Sequence, residues 1–180
     1  MPVDRASFYV KCRSNFNRDF TDAQKKGYEA IFNYWDPSPL NDFRWLAYAL
    51  ATAHHETGGR IEPVREGFAD TDEGSIRAVT SLFNKRRIKR NYAIPHPNGN
   101  SYFGRGLVQL THGYNYDTFG KLLGIDLYNN PSLALDLNTS VVILFEGMVR
   151  GLYRPPHRLS TYFNDTKTEW INARNIINGG

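Results

Sequence analysis

Apolar positions recur at helical spacing along most of this chain and alternate in only one short stretch. Tyr28, Ile31, Phe32 and Trp35 fall on one face of a helix. Thr21 and Gln24 stand three apart just before it, the spacing of a capping box. Asp36-Pro37-Ser38-Pro39 ends that helix, because proline offers no backbone donor to continue it. A second stripe, Phe43, Leu46, Ala47, Leu50 and Ala53 or His54, follows a cap at Asn41 or Asp42 and breaks at Gly58-Gly59. A third helix starts near Glu73, Gly120–Leu123 continues another, and Leu127–Pro131 is a turn. Leu133–Tyr153 holds a central buried helix whose core face is Val141, Leu144, Phe145, Met148 and Leu152, with Glu146 a structural acid within it. Trp170 and Ile171 pack the start of the last helix. Val108-Gln109-Leu110-Thr111 has period two instead. It reads as an extended segment with Gln109 and Thr111 on one face and the apolar pair packed behind.

At 180 residues the chain is one domain. Residues 1–40 form an N-terminal helical scaffold and 41–180 the core. With 41% hydrophobic and 14% aromatic residues it is globular rather than disordered. A net charge of +4 favours acidic surroundings without choosing among nucleic acid, wall polymer and membrane surface. The single cysteine, Cys12, excludes an internal disulfide framework and any cysteine-ligated metal cluster, so stability comes from packing. Met1-Pro2-Val3-Asp4-Arg5 lacks the basic start and apolar run of a secretory signal, and Val141–Phe145 is too short to span a bilayer. A protein acting at a cell wall would then leave its cell by a separate route, holin-like or by lysis. The basic run Asn84–Arg90 fits either an anionic polymer or a solvated helix face. No nucleic-acid motif or interleaved aromatic accompanies it, so it reads as a solvated face of the helix from Glu73, with no nucleic-acid partner.

The chemistry centres on Ala53-His54-His55-Glu56-Thr57-Gly58-Gly59. Glu56 ends a helix on the flank of its apolar stripe, above small alanines that leave room for a ligand, a position suited to a general acid. His54 lies near the apolar edge and is structural, whereas His55 faces a ligand or water. The His-Glu pair suggests a zinc helix, but the second histidine that such a helix needs is replaced by Gly59, so no metal is expected. Arg60–Asp72 is turn-rich and acidic, with Glu62, Glu66, Asp70 and Asp72. A second acid near Glu56 is what inverting glycoside hydrolysis needs, with the two carboxyls roughly 6.5–9.5 Å apart. Gln109, Thr111 and the neighbouring tyrosines suit a carbohydrate, which presents hydroxyls, amides and flat ring faces.

Taken together, His55-Glu56-Thr57-Gly58-Gly59, Tyr102–Thr111, Tyr114-Asn115-Tyr116 and Asn172–Gly180 resemble the motifs of glycoside hydrolase family 19, the chitinases and related phage lysins, in the family's order. The resemblance implies a mainly α, lysozyme-like fold with a substrate cleft and little or no β-structure, a monomer without cofactor, and an inverting mechanism. By position it makes Glu56 the general acid, Glu66 the general base, and Thr111 the hydroxyl that helps hold the water. Glu62 and Asp70 are the other acids available as base. His55, Tyr102, Gln109, Tyr114, Asn115 and Asn178 match sugar-contacting or cleft positions. Relatives continue beyond Gly180 into a further helix. The substrate implied is an N-acetylglucosamine-containing wall polysaccharide: peptidoglycan, on charge and brevity, or else chitin. A non-catalytic polysaccharide-binding protein on the same scaffold is the reading outside enzymology.

Overall fold

Thr21 and Gln24 close the first predicted helix end as their spacing requires. The Gln24 N–H donates to Thr21 Oγ1 at 3.2 Å, and the Thr21 N–H donates to Gln24 Oε1 at 2.9 Å. In this computed structural model, which describes residues 2–178, helix α1 spans Arg5–Phe16 and α2 spans Asp22–Trp35. Tyr28, Ile31, Phe32 and Trp35 are all buried, as the periodicity predicts. Helix α1 buries no residue fully and holds on through aromatic contacts, Phe8 meeting Phe32 edge-on at 5.0 Å between ring centroids.

Helix α3 (Phe43–Glu56) is capped by Asp42, not Asn41: the Asp42 carboxylate accepts from the Arg44 N–H at 3.0 Å. Its buried face is Leu46, Ala49, Thr52 and Ala53, which keeps Leu46 and Ala53 of the predicted stripe and adds Ala49 and Thr52. Phe43 and Ala47 are exposed. Ala47, Leu50 and His54 instead line a hollow of about 520 Å³ with Phe8, Cys12, Phe16 and Tyr28.

The remaining helices are α4 (Asp72–Asn84), α5 (Gly113–Leu123), α6 (Leu137–Arg150), α7 (Leu159–Tyr162) and α8 (Trp170–Ala173), with short 3-10 turns at Glu66–Phe68, Pro131–Leu135 and Arg174–Ile176. Strands among the described residues are two residues long. β1 (Val64–Arg65) pairs antiparallel with β2 (Arg105–Gly106), and β3 (Phe163–Asn164) with β4 (Lys167–Thr168). The fold is mainly α with little β-structure. No helix among the described residues is long and apolar enough to cross a membrane.

The chain divides into two compact units, one of residues 2–62 with 144–178, the other of residues 63–143. The first unit holds α1 and α2 together with α3. In that unit α3 also grips the later chain. Trp45 Nε1 donates to the Phe163 carbonyl at 3.1 Å, and the Tyr48 hydroxyl donates to that of Ala173 at 2.8 Å. Leu144, Phe145 and Met148 of α6 are buried as expected, and Glu146 is the structural acid the sequence suggested, accepting from the Tyr34 hydroxyl at 3.0 Å and pairing with Arg150. The helix is shorter than Leu133–Tyr153, which leaves Leu152 beyond its end and half-buried. Trp170 packs on Phe163 at 4.6 Å between centroids, but Ile171 is 83% exposed: in a helix of four residues only one face meets the core.

In the second unit, the alternating segment is not extended. Gln109 has φ +52°, and residues 107–109 form a turn closed by the Arg105–Leu110 bridge. Val108 and Leu110 are nonetheless buried while Gln109 and Thr111 are half-exposed, so a tight turn reproduces the in-out pattern of a strand. The basic run also differs from expectation. Helix α4 ends at Asn84, which puts Lys85–Arg90 on the loop after it, with Ile88 packed against the Val79, Ala93 and Phe103 cluster.

Arg105 organises this unit's polar interior. It is 1% exposed, holds its guanidinium carbon 3.6 Å from the Phe103 ring centroid, and donates to the Ser101 carbonyl and to Asp72. Asp72 also accepts from Arg65 at 2.7 Å. Burial pushes the Asp72 carboxyl up, but the Arg65 and Arg105 guanidiniums outweigh it and hold the group below its ordinary value. A depressed carboxylate contributes stability that is present above its unfolded value, about 3.9, and lost as pH falls through the lower folded value. Asp72→Asn is therefore expected to lower the urea midpoint at pH 7 and to lose less than wild type on acidification to about pH 3. Equal acid losses in the two proteins would refute this account of Asp72.

Candidate active site

Glu56 is the last residue of α3, and the turn behind it is tightly built. The Thr57 hydroxyl donates to the Ala53 carbonyl at 2.7 Å and accepts from the Ile61 N–H at 2.9 Å, so one buried side chain ties the helix end to the returning chain. Gly58 and Gly59 take φ of 58° and 81°, values that side-chain-bearing residues rarely adopt, and the Gly59 N–H caps the His54 carbonyl at 2.7 Å. Helix α2 holds the turn from behind: Gln24 Nε2 donates to the Gly59 carbonyl at 2.7 Å, and Gly27 lies directly against Ile61. His54 is structural, as its position on the stripe suggests. Its Nδ1 meets the Tyr28 hydroxyl at 3.3 Å and its ring stacks on Phe16.

So anchored, Glu56 lines a pocket of about 330 Å³ with Tyr48, Ala51, Thr52, His55, Arg174, Ile177 and Asn178. Asn178 Nδ2 donates to Glu56 Oε1 at 3.1 Å, across 122 residues of sequence. His55 is exposed on the same rim. Three of the expected residues, His55, Glu56 and Asn178, thus meet at one pocket. Tyr48 and Arg174 were not foreseen there. Gly179 and Gly180, which complete the late motif, lie outside the described residues.

Glu66 belongs to the second unit and is held at both ends. Its N–H donates to the Gly104 carbonyl at 2.8 Å, and its own carbonyl accepts from the Ser75 hydroxyl at 2.9 Å. Its Oε2 accepts from the Gly104 N–H at 2.7 Å, and its Oε1 from the Tyr92 hydroxyl. Of the other acids of that loop, Glu62 and Asp70 are exposed. His112, edge-on to Tyr92 at 5.3 Å, is pushed below its ordinary value by burial against an opposing pull from Glu66. The ring of Tyr114 lies parallel to that of His112 at 5.6 Å between centroids and is 68% exposed.

Other expected contacts are spent on the chain itself. Gln109 Nε2 donates to the Val64 carbonyl at 3.0 Å, Thr111 Oγ1 to that of Gln109 at 2.8 Å, and Asn115 Nδ2 to that of Thr111 at 2.7 Å. Since the Thr111 hydroxyl proton is committed, its oxygen faces any ligand as an acceptor. Tyr102 is fully buried, its hydroxyl donating to the Tyr128 carbonyl at 2.7 Å and accepting from Asn98, so it packs the site's support instead of meeting a ligand. Tyr92, which no motif in the sequence marks, is the second partner of the Glu66 carboxylate. No spacing rule connects it with a residue 26 positions earlier.

Comparison with known proteins follows the same residues. The family described as chitinase class I, glycoside hydrolase family 19, matches residues 41–150, a span that contains Glu56, Glu66 and Thr111 and stops short of Asn178. Endochitinase 3 of Solanum tuberosum is 32% identical over 111 residues, 59% of this chain and 32% of that protein. Basic endochitinase of Vitis vinifera is 32% identical over 108 residues, 57% of this chain and 31% of that protein. The chain spans about a third of the length of the curated relatives it matches. Chitinase C from Streptomyces griseus HUT6037, a solved structure, is 25% identical, with a TM-score of 0.44 over 69% of this chain and 56% of that one.

Proposed function

The chain belongs to glycoside hydrolase family 19, the class I chitinases, and from that premise we propose that it hydrolyses β-1,4 bonds in an N-acetylglucosamine-containing polysaccharide. The observation that carries this reading is the pocket in which Asn178 donates to one oxygen of Glu56. A protonated carboxyl there accepts from Asn178 through its carbonyl oxygen and keeps its O–H for a ligand.

In the proposed reaction Glu56 gives its proton to the glycosidic oxygen as the bond to the anomeric carbon breaks. Glu66, ionised, takes a proton from the water that attacks that carbon from the opposite face. Thr111 Oγ1, its own proton given to the Gln109 carbonyl, accepts a hydrogen bond from the water's other O–H, which stays on the product as the new hydroxyl. Both products carry a hydroxyl, the new anomer is inverted, and the two carboxyls exchange protons with solvent to reset.

Chitin is the substrate suggested by the endochitinase names of the relatives. Peptidoglycan is a second reading, favoured by charge. The chain carries +4, Arg174 lines the Glu56 pocket, and Lys85, Arg86, Arg87, Lys89 and Arg90 form no salt bridge among the described residues. Such a field attracts a polymer with carboxylates and does nothing for neutral chitin. Reducing-end release from chitin oligomers and from purified peptidoglycan, with the anomer followed by NMR, tests the proposal. Inverted product is expected from at least one polymer. A retained anomer, or no release from either, would defeat it. Release from peptidoglycan that falls with added salt and with Arg174→Ala, while chitin cleavage is unchanged, would decide for the second reading.

A further inference from the structure

We propose that Tyr92 is a positioning residue for the general base, acting through Glu66 without touching the reacting atoms; the inference rests on the base role assigned to Glu66 above. A carboxylate on a turn samples several rotamers, whereas a base must aim one lone pair at one water. Here the freedom is removed at both oxygens. The Gly104 N–H fixes Oε2 at 2.7 Å, and the Tyr92 hydroxyl fixes Oε1. A carboxylate offers about four acceptor sites, so two donors still leave lone pairs for a water.

The donor itself is well held. Tyr92 packs against the Val79, Ala93 and Phe103 cluster and meets His112 edge-on. Asn91, its neighbour in sequence, donates to Thr80 Oγ1 at 3.0 Å and accepts from the Ala93 N–H, which pins the strand of chain that carries the ring. Burial, then the nearby Glu66, raise the Tyr92 phenol well above its ordinary value, so it keeps its proton and remains a donor across the working pH range.

The alternative is that Glu66 only braces the turn and Tyr92 only fills space. Azide separates the two, because it attacks the anomeric carbon without giving up a proton and so needs no base. Four full-length proteins are assayed on whichever polymer is cleaved: wild type, Tyr92→Phe, Glu66→Ala and the double variant. Phe retains the ring in its apolar seat, and melting temperatures check that each protein is folded. Tyr92→Phe is expected to lower kcat about 10-fold with KM unchanged, within the cost of a misplaced reacting group. Glu66→Ala is expected to lose turnover with water and regain it with sodium azide, giving the inverted glycosyl azide. In that rescued reaction the added Tyr92→Phe is expected to change nothing. Wild-type kcat in Tyr92→Phe, or the same 10-fold loss in the azide reaction, would overturn the role of Tyr92 while leaving Glu66 as base. Full water activity in Glu66→Ala would overturn the base assignment itself, and with it the proposal.

Discussion

Glu56→Gln is expected to lower turnover by about 10²–10⁴-fold, the range contributed by a positioned general acid, with the protein still folded. The substitution is nearly isosteric, and the amide oxygen can accept from Asn178 as the carboxylate does. Nothing that holds the end of α3 depends on the side chain of Glu56. The Thr57 hydroxyl, the glycine turn and the Gln24 amide do that work through backbone groups. Only the transferable proton is lost. Affinity for the polysaccharide should therefore survive, so KM stays near wild type while kcat collapses. Product release measured by reducing ends, beside binding measured on the inactive variant, checks both halves. Equal and negligible release by wild type and variant, with binding intact, would favour a polysaccharide-binding protein over an enzyme.

Gly27→Ala is the substitution with the largest expected effect on stability. In an exposed helix the change would stabilise by about 1 kcal/mol, since alanine is the better helix former. At Gly27 a Cβ would stand 1.8 Å from the Ile61 carbonyl oxygen and 2.7 Å from its Cγ2, and backbone cannot step aside as a flexible side chain can. Ile61 is fully buried and already at φ +55°, a conformation that a β-branched residue adopts only under constraint. Overpacking against such a segment outweighs the gain in helix propensity and is expected to cost about 3 kcal/mol, the top of the usual range. For a protein of this size that is a fall in Tm of about 6–12 °C. A calorimetric scan settles the sign: a Tm equal to or above wild type would mean that α2 and the turn after Glu56 are not in this contact.

The parts of this molecule that were legible in its sequence are those fixed by local chemistry. The Thr21–Gln24 box, the stop at Asp36-Pro37 and the end of a helix at Glu56 each depend on residues within one or two turns. A cleft position for Asn178 is implied only by the order of the family's motifs, and its meeting with Glu56 by nothing in the sequence, since no spacing argument spans so much chain. Other features were hidden for physical reasons. Residues 107–109 bury alternate side chains in a turn just as a strand would, so period two did not distinguish them. The buried face of α3 includes Ala49 and Thr52, which carry too little hydrophobicity to mark a stripe in the sequence. Tyr92 and Arg105 acquire their roles from partners brought in by tertiary folding, and Tyr102 loses the one expected of it because its hydroxyl is spent on Tyr128.

The division of the chain also governs the order in which the molecule can be assembled during synthesis. Residues 63–143 are contiguous, so that unit has all its parts when residue 143 leaves the ribosome. The other unit does not. Trp45 and Tyr48 wait for Phe163 and Ala173, and Glu56 waits for Asn178. Domains fold as their chain emerges, which gives the contiguous unit a head start. Helices α1 to α3 meanwhile carry unmatched apolar and donor groups across a gap of about 80 residues, a closure whose entropic cost grows only logarithmically with length. The pocket around Glu56 is therefore a late product of biogenesis. A nascent chain halted before residue 178 would carry the acid without the amide that meets it.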